Sequence, residues 1–172
     1  MTESNTLEEC VKSALEAVAG ELRGKDAGDK KWTYEIKRQL NVSMPRDCEA
    51  CATGYGYRGK EFMYDFAWVK QGQDQDIGSV LDLLMVMECE WGKHYGIFDF
   101  RKLLVARADL RVMIFPGNDE WHTKFIEQMK REIEGFKKTQ AGDRYLFACW
   151  NLSSDPSQQK FNYEPYVRKT TP

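Results

Sequence analysis

The sequence predicts an α/β fold, an α/β/α sandwich with a central mixed sheet, on three observations. Amphipathic segments with helical spacing open the chain and return in its second half. Strand-like segments first follow one another and later alternate with helices, the order that places helices over a mixed sheet. The length, 172 residues, suits a single domain, with an N-terminal helix at 6–23, a core at about 32–151 and a C-terminal edge strand and tail at 152–172.

Thr6 followed by Glu9 has the form of a capping box, and Leu7, Val11, Leu15, Val18 and Leu22 then recur at helical spacing. Residues 24–31 read as a polar connector. Trp32, Ile36 and Leu40 mark a second, short helix that ends before Pro45 and carries Glu35, read as a surface residue. Gly54, Gly56 and Gly59 punctuate a turn region, and residues 61–69 alternate as a strand, with Phe62, Tyr64, Phe66 and Trp68 on one face and Asp65 on the other. After a polar loop at 71–78, residues 83–91 read as a central, buried strand.

Residues 99–108 look helical, with Phe100, Leu103 and Leu104 inward, and 110–115 form a short apolar strand before Pro116 and Gly117. Trp121, Phe125, Met129, Ile133 and Phe136 then give a long surface helix. Residues 144–150 form a further strand, and 160–167 an edge strand.

Composition narrows the functional classes. At 42% apolar, 13% aromatic and 30% charged, this is a folded globular chain rather than a disordered one. Nothing approaches the length of a membrane span, and residues 1–10 are acidic and polar where a secretory signal would be basic and then apolar. Five scattered cysteines argue for reduced thiols, so the expected location is cytoplasmic and no membrane partner is expected. A formal charge of −2 gives no global pull on nucleic acid, so such binding needs a local patch. The stretch with Lys93, Arg101, Lys102, Arg107 and Arg111 is the best candidate, against the commoner reading of a solvated mixed face.

The strongest chemical signal is Glu88-Cys89-Glu90 at the end of the apolar strand. Residues two apart in a strand share a face, so two carboxylates project together from an apolar setting. Such carboxylates require a cation, a basic side chain or a shared proton. Asp65, in the setting Tyr64-Asp65-Phe66, adds a third on a neighbouring strand. Oxygen ligands of this kind suit Mg²⁺ or Mn²⁺, with water completing the shell.

A strand with Asp65, a strand with Glu88-Cys89-Glu90, then Asp99-Phe100-Arg101-Lys102-Leu103-Leu104 and the apolar Val112-Met113-Ile114-Phe115 resembles the PD-(D/E)xK nuclease-like superfamily over roughly residues 32–150. The resemblance implies a restriction-endonuclease-like core and hydrolysis of phosphodiester bonds with Mg²⁺ or Mn²⁺. It implies Asp65 and Glu88 as metal ligands, the Cys89 carbonyl as a further one, and nucleic acid as the partner, DNA ahead of RNA. A homodimer is left open. Glu90 stands where the superfamily usually has a lysine. Two substitutes are implied: Glu90 as base or third carboxylate ligand, as in members with a similar Glu-x-Glu pattern, or Lys102 reaching in from the next helix. Tyr64 stands where the motif proline often does, and Glu35 resembles an acidic residue that some members place on an early helix.

Structural readings stand beside these. Glu88 and Glu90 could be a pair satisfied by Lys102 or Arg101, and Lys102 a solvated helix charge. The fold would then serve as a catalytically inactive binding or assembly module. Cys48 and Cys51 have the spacing of half a zinc site, but His94 and His122 stand alone, and a structural zinc needs four ligands. The five tryptophans are expected in the core or at its rim, with Trp91 beside Glu90 able to line a groove. Gly54-x-Gly56-x-x-Gly59 precedes a strand, not a helix, and is no phosphate loop.

Overall fold

The computed structural model describes residues 6–52, 63–72, 80–92 and 96–170. Helix α1 spans Leu7–Leu22 and α2 Asp29–Val42; strands β1 Glu49–Ala52, β2 Phe66–Gln71 and β3 Val80–Cys89 follow. Then come α3 Gly96–Val105, β4 Leu110–Gly117, α4 Asp119–Gly135, β5 Arg144–Asn151, a 3-10 turn Pro156–Gln158 and β6 Phe161–Val167. The six strands lie in sequence order in one sheet. β1, β2 and β3 form an antiparallel meander, β3, β4 and β5 run parallel, and β6 returns antiparallel to β5.

The parallel steps need crossovers, and α3 and α4 supply them. Phe100, Leu103, Ile126, Met129 and Ile133 from these helices pack against Val86, Met113, Phe115 and Phe147. On the other face, Val11, Leu15, Val18, Ile36 and Leu40 of α1 and α2 pack against Phe66, Met87, Val112, Ile114 and Leu146. Helices therefore cover both faces of the sheet, and β4 is buried along its whole length. The Trp68 indole N–H donates to the Leu40 carbonyl at 3.1 Å and ties α2 to β2. No helix among the described residues is long and apolar enough to cross a membrane.

Helix α1 starts as its capping box dictates: the Thr6 N–H donates to Glu9 at 2.8 Å and the Glu9 N–H to the Thr6 hydroxyl at 3.3 Å. It stops at Gly24, whose φ of 70° lies in the left-handed region that ends helices.

Several expectations need correction. Helix α2 begins at Asp29, so the connector is shorter than 24–31. Strand β1 was not foreseen, because four residues are too few to display an alternation. Strand β2 begins only at Phe66; Tyr64 and Asp65 lie in the bend before it, and Phe62 and the three turn glycines fall outside the described residues. Tyr64 does not share a face with Phe66 and Trp68, since it packs in the α3/α4 layer and they pack in the α1/α2 layer. The first residues of β3, Val80 and Leu81, are exposed, so only its second half is the buried strand expected.

Glu35 is buried, held by Lys31 and Arg38 at 2.5 Å each, and is not the surface residue its polar neighbours suggested. Among the described residues of the basic stretch, three of the four charges are paired. Arg101 pairs with Glu132, Lys102 with Glu88 and Asp99, and Arg111 is buried against Asp143, while Arg107 stays exposed and Lys93 falls outside the described residues.

Candidate functional site

The β2–β3 register pairs Phe66 with Met87, and one further step along both chains brings Asp65 to Glu88. Asp65 Oδ2 accepts the Cys89 N–H at 2.9 Å, which ties it to the end of β3, and its charge is felt by the Glu88 carboxyl. Asp65 Oδ1 faces Lys37 Nζ of α2 at 3.4 Å. Asp65 thus stands at the strand end with a helix of the α1/α2 layer on one side and Glu88 on the other.

Glu88 occupies the buried end of β3, only 2% exposed. Lys102, from α3, places Nζ 3.2 Å from Glu88 Oε2 and 2.7 Å from Asp99 Oδ1. The other Glu88 oxygen, Oε1, is buried and has no hydrogen-bond partner among the described residues. Burial and the neighbouring charge of Asp65 push the Glu88 carboxyl up to about 8, against the opposing pull of Lys102. The same burial works against the Lys102 charge, but the bond to Asp99 and the field of Glu88 outweigh it and hold its pKa above the ordinary value.

Glu90 lies one residue past β3, on a backbone still tied to β4 by its N–H to the Ile114 carbonyl at 3.0 Å. Its Oε1 accepts the Gly92 N–H at 2.5 Å. Burial, the largest cause, raises its pKa, the Gly92 N–H works against it, and the neighbouring Asp99 raises it further. Cys89, between the two glutamates, turns to the opposite layer, where the Thr33 hydroxyl donates to its sulfur at 3.9 Å, and burial pushes its thiol far up.

All four residues singled out from the sequence, Asp65, Glu88, Glu90 and Lys102, therefore gather at one end of the sheet. Lys37, Asp99 and Tyr64 join them and were missed. Lys37 follows the buried Ile36 on α2, and Asp99 sits one helical turn before Lys102, a spacing that could have disclosed it. Tyr64 is buried close enough for the Glu88 charge to act on its hydroxyl, whose pKa is raised chiefly by burial.

Glu35 is committed to α2 ion pairs with Lys31, Arg38 and, through Arg38, Glu21. Trp91 faces α2 too, donating to the Thr33 hydroxyl at 2.9 Å and packing on Trp32, so it does not line a groove beside Glu90. Cys48 packs in the α1/α2 layer and Cys51 in the α3/α4 layer, which separates the would-be zinc pair. His94 falls outside the described residues, and His122 sits on α4 beside the Asn118 carbonyl.

Among the described residues no group of three or more His, Cys, Asp or Glu side chains converges to hold a metal. What gathers is two carboxylates, Asp65 in the bend before β2 and Glu88 in β3, one with an unpartnered buried oxygen. Mg²⁺ is commonly held by one or two carboxylates plus waters and substrate oxygens, and here Lys37 Nζ stands 3.4 Å from Asp65 Oδ1 and Lys102 Nζ 3.2 Å from Glu88 Oε2. Scans against family models, curated proteins and solved structures find no match to this chain.

Proposed function

We propose that this chain is a Mg²⁺-dependent phosphodiesterase acting on nucleic acid, DNA ahead of RNA, with a restriction-endonuclease-like core. The observation that carries the reading is the meeting of Asp65 and Glu88 at the ends of β2 and β3, beside the Lys102 ammonium. Helices on both faces of a mixed sheet agree with the core that the motif resemblance implies.

Asp65 and Glu88 would hold the cation. When bound, it would polarise the phosphate and lower the pKa of a water placed for in-line attack. Glu90 takes the water's proton; its raised proton affinity makes it a stronger base than an ordinary glutamate. Lys102 supplies the positive charge that the Glu-x-Glu motif lacks, directed at a phosphate oxygen from the α3 side. Attack forms a P–O bond to the water oxygen and breaks one P–O ester bond, leaving a terminal phosphate on one product strand and, on the other, an alkoxide that takes a proton from solvent to become a hydroxyl.

A cleavage assay on plasmid and oligonucleotide substrates with Mg²⁺ or Mn²⁺ tests this. The parent protein cuts, and Asp65→Ala and Glu88→Ala lose the activity. Equal residual cutting in both variants would assign the activity to a contaminant and end the reading.

One observation favours the non-catalytic alternative, a binding or assembly module. Lys102 already bridges Glu88 and Asp99, a network that compensates charge without any cation. A melting temperature unmoved by millimolar Mg²⁺ or Mn²⁺ would select that alternative.

A further inference from the structure

A cleft of about 590 Å³ lies where α3 gives way to β4, between that connection and the segment joining α4 to β5. Its size falls within the range of about 300–1,000 Å³ usual for small-molecule sites. We infer that it binds a small organic anion, an apolar body carrying one acidic group, with the body against Val105 and Phe136 and the acidic group within reach of Arg107 and Lys138. Asp65 and Glu88 take no part in it, since neither lines the cleft. The apolar contact is supplied by Val105, Ala108 and Phe136. Val105 is 59% exposed. A lone exposed valine is ordinary, but one on a cleft wall beside a half-buried phenylalanine offers a ligand a surface to cover.

Charge decides the sign of the ligand. Of the two carboxylates in the lining, Asp143 is already engaged: one oxygen accepts from Arg111 at 3.2 Å and the other accepts the Gln140 N–H at 2.8 Å. Asp109 remains, against Arg107 and Lys138. Both of these cations are exposed, and neither side chain has an ion pair among the described residues, whereas Arg101, Lys130 and Arg168 are paired with Glu132, Glu164 and Glu134. Helices α3 and α4 both end here, and free C-terminal carbonyls would repel an anion. Those carbonyls have donors. Arg111 donates to the Ala106 carbonyl at 3.1 and 2.7 Å and to the Ala108 carbonyl at 3.0 Å, and the Thr139 hydroxyl lies 2.7 Å from the Ile133 and Phe136 carbonyls, placed to donate to either. The cleft is left with two uncommitted cations, one of them a guanidinium whose fork matches the oxygens of an acidic group.

The test is a fluorescence titration with anilinonaphthalene sulfonate, an aromatic body carrying one sulfonate, beside its uncharged analogue phenylnaphthylamine, both in the presence of chelator. The proteins are wild type, Arg107→Gln, Lys138→Gln, the double variant, and Lys124→Gln, which removes a cation near the start of α4, outside the cleft. Wild type binds one equivalent of the sulfonate, each cleft substitution weakens binding about threefold and the double variant about tenfold. K124Q binds as wild type does, and the uncharged analogue binds all five proteins equally. Nitrogen-15 spectra of wild type show the amides of Val105, Arg107 and Phe136 shifting as the sulfonate is added. Absence of binding, wild-type affinity in the double variant, a loss in K124Q equal to that in the double variant, or amide shifts confined to other residues overturns the proposal. Arg107 and Lys138 are exposed, so their substitution does not endanger folding, and matching melting temperatures verify that.

Discussion

Asp65 accepts the backbone N–H of Cys89 at 2.9 Å, so the residue that meets Glu88 also pins the end of the strand that carries it. Position 65 has a structural duty apart from any chemistry, and the two duties separate by substitution. Asp65→Asn keeps an oxygen for the Cys89 N–H and loses only the charge beside Lys37; Asp65→Ala loses both. Urea unfolding should place the alanine variant about 2 kcal/mol below wild type and the asparagine variant about 1 kcal/mol below. Mn²⁺ binding should be lost in both.

Glu88 makes stability depend on pH. Its carboxyl is raised from an ordinary 4.5 to about 8, so between those values the folded protein holds a proton that the unfolded chain has released. Stability from this group is therefore greatest at the acid end of the window and falls as pH rises towards 8, then levels off, with a slope of at most about 1.4 kcal/mol per pH unit. Glu88→Gln, which cannot titrate, should remove that part of the slope in chelator-treated protein. An unchanged profile in the variant would show that the slope belongs to other groups.

Much of this arrangement was legible beforehand. Regular apolar spacing announced α1, α2, α3 and α4, and the apolar runs announced β3, β4 and β5, because burial on one face or both leaves a period in the sequence. The Glu-x-Glu pair and Asp65 were legible because carboxylates in apolar strands are costly and therefore conspicuous. Lys37 was not, since it looks like an ordinary surface charge until the sheet sets it beside a carboxylate, whereas Asp99 carried a signal in its helical spacing to Lys102. The short β1 carries too few residues for a pattern, and the basic stretch ending at Arg111 was misleading because charge along a chain does not disclose which side chains turn inward.

Arg111 shows where that stretch goes. Its guanidinium donates to the Ala106 carbonyl at 3.1 and 2.7 Å, to the Ala108 carbonyl at 3.0 Å and to Asp143 at 3.2 Å, and lies over the Tyr145 ring. It closes the connection between α3 and β4, at the end of α3 away from Asp99. Arg111→Met should cost about 3 kcal/mol in chemical unfolding, and Arg111→Lys should recover only part of it, because an ammonium cannot reach several acceptors in one plane. Mn²⁺ affinity should not change in either.

Gly117 ends β4 where there is no room for a side chain. A Cβ there would lie 2.9 Å from the Trp121 ring and 3.2 Å from the Cys149 sulfur. Gly117→Ala should lower the stability by about 1–3 kcal/mol through overpacking, read as a lower urea midpoint with an unaltered far-UV spectrum. A midpoint equal to wild type would mean that Trp121 yields without cost.

The site itself is decided by anomalous diffraction from a crystal soaked in Mn²⁺. The expected result is a peak bounded by the carboxylates of Asp65 and Glu88. Soaked crystals with no peak there would contradict it.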